Sequence, residues 1–223
     1  RYLGKGKDGG KFEIEKIKGV SLSHLYLDQL VTSDLLVGLL DSISRIHKSG
    51  EQLNDGINIY ANYSKKLENR YHKYDYSRFR NSEDIFSRLV RELEVYEREE
   101  SGVQAVIHGD PVFTNIIVKE NQDLCFIDMR GELGGKFTIM GDMWYDYGKI
   151  LQSLLGYDEI LLDKYVEQEY KNNMIEVFFD HIENRFGSDR SRNLRLIASS
   201  LLFSLIPLHD NDKTYDYFSL IDF

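Results

Sequence analysis

Val106-Ile-His-Gly-Asp-Pro-Val-Phe-Thr-Asn-Ile-Ile-Val118, followed after a short polar turn by Leu124-Cys-Phe-Ile-Asp-Met-Arg-Gly131, decides how the rest of this chain is read. Residues 103–107, 116–118 and 124–127 are short apolar runs parted by turn residues, the pattern of strands. The first run delivers a His108-Gly109-Asp110 turn. Asn115 stands at the far end of the same tight loop, so its side chain and that of Asp110 can flank one site. Asp128 leaves the third run, which can pair with 116–118 as a hairpin and bring a second carboxylate to the loop. Two carboxylates and an amide form an all-oxygen set suited to Mg²⁺, which takes one or two carboxylates together with substrate phosphates. Cys125, the one cysteine, stands outside that set, so a soft-metal site is not expected.

Outward from this insert the pattern turns helical. Leu35, Leu36, Leu39, Leu40, Ile43 and Ile46 recur at helical spacing behind a Thr32 or Ser33 cap, with Arg45 and Lys48 toward the C-terminal dipole and Gly50 as a stop. Ser82 can cap a second helix, with Glu83 and Asp84 in its first turn and Ile85, Phe86, Leu89, Leu93 and Tyr96 on one face. Residues 59–80, rich in Tyr, Lys, Asn and Arg, read as a largely exposed helix and a loop. From Asp142 onward helices are expected over 142–155, 158–170, 174–186 and 190–207. Residues 1–10 are rich in glycine and lysine and read as a flexible loop or tail, with a hairpin turn the better reading than a nucleotide loop for Gly4, Gly6, Gly9 and Gly10. Phe12, Ile14 and Ile17 form a short strand stopped at Gly19. The fold class expected is α+β, mostly helical, with a small central β hairpin carrying the chemistry.

Composition narrows the function. With 28 Lys+Arg against 37 Asp+Glu, the formal net charge of −9 argues against general nucleic-acid binding, which needs a basic surface. A single cysteine permits no internal disulfide, and a reducing cytoplasm is the expected location. The longest apolar stretch, 196–208, holds three serines and falls short of the roughly 20 residues that span a bilayer, so no membrane span is expected. The chain opens on Arg rather than Met, and residues are expected upstream.

The His-Gly-Asp-x-x-x-x-Asn run, the apolar strand after it and the following Ile127-Asp128 resemble the aminoglycoside phosphotransferase and choline kinase group, relatives of the protein kinases. That resemblance implies a kinase-like carboxy-terminal lobe that uses ATP and Mg²⁺. It implies Asp110 as the catalytic base, Asn115 and Asp128 as the metal ligands, and His108 as a support of the loop. The segment 141–149, Gly-Asp-Met-Trp-Tyr-Asp-Tyr-Gly-Lys, looks like the family's G-D-x-x-x-D element, with Asp142 a cap and Asp146 a support for the catalytic loop. Residues 12–19 are similar to the strand joining the two lobes, which implies that backbone groups of Glu15, Lys16 and Ile17 face the adenine. The organisation implied is 1–19 as start and hinge-like strand, and 20–223 as the lobe, with its catalytic insert at 103–131 and its helical tail at 142–223. Eleven residues before the hinge-like strand cannot supply an amino-terminal lobe, whose strands and helix need on the order of 40 residues. That lobe is expected to be absent or to lie upstream.

Arg130 departs from the family pattern, in which an acidic residue or glycine stands near the metal Asp. It places a fixed positive charge beside the site, able to contact a phosphate or an anionic substrate. The Met129-Arg130-Gly131 variant and the aromatic 144–147 segment resemble phosphotransferase-family proteins of bacterial surface-polysaccharide pathways, which makes a sugar or sugar derivative the first choice of hydroxyl acceptor, with choline-like and aminoglycoside substrates as alternatives that an acidic protein would suit. Trp144, Tyr145 and Tyr147 read as core, with a wall for a sugar or quaternary ammonium as the alternative. Lys149 reads as a solvated helix residue and His209-Asp210 as a helix-end turn. The function expected is phosphoryl transfer to a small-molecule alcohol. A pseudokinase-like module that binds nucleotide or a partner protein is the alternative, and metal-dependent phosphoester hydrolysis ranks third.

Overall fold

The computed structural model describes residues 2–5, 10, 12–50, 56–209 and 212–221. Tyr2–Lys5 (β1) pairs antiparallel with Phe12–Ile14 (β2), so a strand stands where the sequence reads as a loop. Gly6, Gly9 and Asp210 lie outside the described residues. After Val20–Ser21 (β3) and Leu22–Leu27 (α1) comes Ser33–His47 (α2), whose Thr32 hydroxyl accepts from the Leu35 amide as an N-cap. Its Leu36, Leu39, Leu40 and Ile43 are buried, which realises the helical periodicity of the leucines.

Ser64–Tyr71 (α3) and Ser82–Arg98 (α4) follow. The segment 59–80 is less exposed than its polar composition implies: Tyr63, Leu67, Tyr76 and Phe79 are buried, because tyrosine combines a large apolar body with a hydroxyl that needs one partner. The Tyr76 hydroxyl finds the Phe203 carbonyl at 2.9 Å. Asn81, in the left-handed region at φ 60°, precedes α4 in the position expected of Ser82, whose hydroxyl donates instead to the Tyr76 carbonyl.

Gln104–Val106 (β4) leads through a short 3₁₀ turn at Phe113–Asn115 into Ile116–Val118 (β5) and Leu124–Phe126 (β6). β5 and β6 form the expected hairpin, with Ile116 opposite Phe126, and β3 extends it to three strands. A second small hairpin, Glu132–Leu133 (β7) with Lys136–Phe137 (β8), precedes Met140–Asp142 (β9), which pairs with β4.

Met143–Leu155 (α5), Tyr157–Leu162 (α6), Gln168–Phe186 (α7), Arg190–Leu205 (α8) and Thr214–Ser219 (α9) complete the order. The helices expected over 158–170 and 174–186 divide earlier than that, because Asp163 turns left-handed at φ 53° and ends α6. The core centres on α5 against α8. Gly148 permits their approach: a Cβ there would lie 2.5 Å from Cγ2 of Ile197. Among the described residues no helix is long and apolar enough to cross a membrane.

Candidate active site

β4 ends inside the core, where Val106, Ile107 and His108 are buried, and the chain turns at Gly109 with φ +82°. A Cβ at Gly109 would come within 2.8 Å of Cβ of Arg130, so the turn needs glycine both for its backbone angle and for its space.

One carboxylate fixes this turn. Asp146, fully buried in the first turn of α5, accepts from the His108 amide at 2.8 Å and the Gly109 amide at 2.7 Å. His47 Nε2, at the end of α2, lies 3.1 Å from the same side chain. The imidazole of His108 is used at both nitrogens: Nε2 donates to the Ile127 carbonyl at 2.9 Å, and Nδ1 accepts from the Asp110 amide at 3.3 Å. Burial pushes its pKa below the ordinary histidine value, which suits this neutral tautomer. His108 thus ties the Asp110 loop to the end of β6, and the Arg130 amide closes the link by donating to the His108 carbonyl at 2.8 Å.

Asp110 and Asn115 are locked together. The Asn115 side-chain amide donates to the Asp110 carbonyl at 2.9 Å, which leaves the amide oxygen as a hard donor at the loop's end. Asp128 is exposed and sits in the left-handed region at φ 59°, an angle that Asp tolerates better than most residues. The carboxylates of Asp110 and Asp128 both act electrostatically on the His108 ring. Among the described residues no three His, Cys, Asp or Glu side chains are grouped to hold an ion by themselves. Asn115 and Asp128 offer hard oxygen ligands of the kind that Mg²⁺ uses when phosphates complete its shell.

Asp142 caps α5 from full burial. Its carboxylate accepts from the amides of Val103 and Trp144 and the hydroxyls of Tyr63 and Tyr96 at 2.6–3.2 Å. Burial still pushes its pKa up against the pull of these bonds.

Lys149 is not a solvated helix residue. Its ammonium lies 3.0 Å from the Asp110 carboxylate, and its side chain is only 14% exposed. Trp144 and Tyr147 are core, packed against Phe186. Tyr145 is buried as well, but its hydroxyl accepts from Arg130 at 3.0 Å and from Lys66 at 3.3 Å. Lys66, Arg70, Arg130 and Lys149 line a recess of about 150 Å³ that also holds Asp110. Sequence reading singled out Arg130 but neither Lys66 nor Arg70. His209 reaches this recess, and its ring packs against Tyr157 and Tyr217. Glu15 and Lys16 are exposed and Ile17 is half-buried, in extended chain after β2.

No family model and no curated protein matches the sequence. Solved structures do match. Choline kinase LicA from Streptococcus pneumoniae superposes with a TM-score of 0.54 at 14% identity, over 98% of this chain and 71% of that one. LicA in complex with AMP gives 0.56 at 15% identity, over 98% and 70%. The chain shares the fold of these kinases. The Plasmodium vivax ethanolamine kinase gives 0.56 at 13% identity, over 93% of this chain and 63% of its own length. An architecture seen in choline and ethanolamine kinases therefore carries the Asp110 loop, at identities where the fold alone is shared.

Proposed function

We propose that this chain is the carboxy-terminal lobe of a small-molecule kinase that transfers the γ-phosphoryl group of ATP to an alcohol, with a sugar or sugar derivative as the acceptor. The observation that carries the reading is the Asp110–Asn115 loop, clamped to α5 by Asp146 and joined by Asp128, on a fold shared with choline and ethanolamine kinases.

Asp110 orients the acceptor hydroxyl and takes its proton as the oxygen bonds to the γ-phosphorus. The bond from that phosphorus to the β–γ bridging oxygen breaks, and ADP leaves. Asn115 and Asp128 hold Mg²⁺, which when bound neutralises charge on the phosphate oxygens. His108 stays neutral and keeps the loop against β6. The backbone of Glu15, Lys16 and Ile17 faces the adenine. The one amide-rich turn and the two carboxylates position reactants, which is most of what a phosphoryl-transfer site has to do.

Calorimetric titration of ATP with and without Mg²⁺, on the wild type and on Asp128→Ala, tests the nucleotide half. Magnesium-dependent binding lost in the variant is the expected result. ADP formation across a panel of sugars and amino alcohols tests the transfer half. Asp110→Asn is expected to lower turnover by about 100-fold or more while ATP still binds. ATP binding without ADP formation from any acceptor would favour the non-catalytic nucleotide-binding module instead.

A further inference from the structure

The recess beside Asp110 holds four cationic side chains and, among its lining residues, one carboxylate. Lys149 is paired with that carboxylate, and the Arg70 guanidinium donates to the Ser204 carbonyl. Lys66 and Arg130 converge on the Tyr145 hydroxyl, and among the described residues neither forms an ion pair with a carboxylate, although Asp110 and Asp146 act on Arg130 electrostatically. In a chain whose net charge is −9, this is a local reversal of sign at the place where an acceptor must sit.

Cations held out of water need an anionic partner. Lys66 and Arg130 are half-buried, and the recess lining supplies one carboxylate for four cations. We propose that the acceptor is itself anionic, an alcohol bearing a phosphate or carboxylate group that docks between Lys66 and Arg130 while its hydroxyl faces Asp110. This rests on the kinase reading and narrows its substrate class.

The opposite charge is poorly served. A quaternary ammonium is normally held over aromatic faces or against carboxylates. The ring that Lys66 and Arg130 share, Tyr145, already carries Arg130 at 5.1 Å and Lys66 at 5.8 Å from its centroid, while Tyr157 lines the same recess. A third cation would meet like charge from both. The recess, at about 150 Å³, takes one end of a small molecule and no more. The guanidinium of Arg130 offers the planar fork that grips an oxyanion through two parallel bonds.

Tyr145 reports the imbalance. Although burial pushes its pKa up, Lys66, Lys149 and Arg130 together pull it down to about 7. Burial and the neighbouring cations Arg130, Arg70 and Lys149 push Lys66 down, against the pull of Tyr145. With its pKa drawn down toward neutrality, Tyr145 is the neighbouring group that shares negative charge with these cations. A bound oxyanion would take over that role and let Tyr145 keep its proton.

The test uses small probes of opposite charge: inorganic phosphate, acetate and tetramethylammonium. Each is titrated calorimetrically into the whole chain saturated with Mg²⁺ and a non-hydrolysable ATP analogue. The ultraviolet absorbance of tyrosinate is followed near neutral pH. Phosphate or acetate should bind and lower the tyrosinate signal, whichever is tighter naming the oxyanion, while tetramethylammonium leaves the signal unchanged. Arg130→Gln and Lys66→Gln should each weaken anion binding about tenfold, as expected for loss of a charge-assisted hydrogen bond. Alcohols offered in pairs with and without a phosphate or carboxylate should show higher kcat/KM for the anionic member.

Binding of tetramethylammonium with no binding of either anion would overturn the proposal. So would better turnover of the neutral or cationic partners. Phosphate binding to the nucleotide-free chain that disappears once the analogue is bound would overturn it too, by giving the cations to the γ-phosphate. The wild-type comparisons hold even where a variant fails to fold. Anion binding without any nucleotide binding would sink the kinase reading and leave the anion site standing.

Discussion

The Lys149 ammonium lies 3.0 Å from the Asp110 carboxylate, an ion pair that joins the middle of α5 to the proposed catalytic loop. Asp146, one helical turn earlier on α5, holds the backbone of the same loop. A single helix therefore sets both the position of the turn and the direction of its carboxylate. Lys149→Met should lower kcat by about tenfold or more, since a hydrogen bond to a charged group contributes about 1.5–3 kcal/mol. Steady-state kinetics with saturating ATP read this directly. An unchanged kcat would mean that the pair forms only in the ligand-free state.

Asp146 accepts from two backbone amides and contacts His47 from a position with no exposure to solvent. Asp146→Ala leaves these buried donors without a partner, each at a cost of about 1–3 kcal/mol. A loss of about 3 kcal/mol or more is expected in urea unfolding, together with loss of turnover. Asp146→Asn keeps one acceptor oxygen and should cost less. A loss below about 1 kcal/mol in the alanine variant would show that water replaces the carboxylate.

How the site could be read from the sequence follows from how it is built. Asp110 and Asn115 bound the loop that enters the β5–β6 hairpin and Asp128 follows that hairpin, all within a single short stretch, and the loop-strand-turn-strand alternation that places them is local. The leucines of α2 declare its buried face for the same reason. The cationic recess draws Lys66 and Arg70 from α3, Arg130 from a turn and Lys149 from α5. A lysine on a polar helix carries no local mark of the tertiary contact that buries it. Lys149 did carry one signal: it lies four residues from Tyr145 and three from Asp146, on their face of the helix. The tyrosines of 59–80 misled because a buried tyrosine needs a distant hydroxyl partner, such as Asp142 for Tyr63. The end of α6 at Asp163 has neither glycine nor proline to announce it.

Asp158 predicts a pH dependence of stability. Burial pushes its carboxyl up to about 6, and neither carboxyl oxygen has a hydrogen-bond partner among the described residues. The native chain therefore keeps a proton that the unfolded chain releases from about pH 4 upward. Stability falls as pH rises through the window between those two values and stays lower above it. For a shift of about two units the full loss is on the order of 3 kcal/mol. Asp142, also raised, acts in the same sense. Urea unfolding from pH 4 to pH 7 should show this decline, and Asp158→Asn should flatten it. Parallel profiles for the two proteins would exclude Asp158 as the source.

Gly109 separates the geometry of the loop from its chemistry. It carries no functional group, yet φ +82° disfavours any side chain, and a Cβ would press within 2.8 Å of Cβ of Arg130. Cβ of Arg130 belongs to the root of that side chain and cannot swing away as its tip could. Gly109→Ala must therefore move the Asp110 turn, the Arg130 turn or both, at a cost of about 1–3 kcal/mol for the backbone angle alone. Displacing a positioned group by about 1 Å is enough to slow an oriented reaction about 100-fold. Turnover should fall by that order while the Mg²⁺-dependent ATP binding proposed for Asn115 and Asp128 falls less. A variant that folds and keeps wild-type turnover would show that the loop tolerates displacement, and would remove the positional argument for Asp110 as the base.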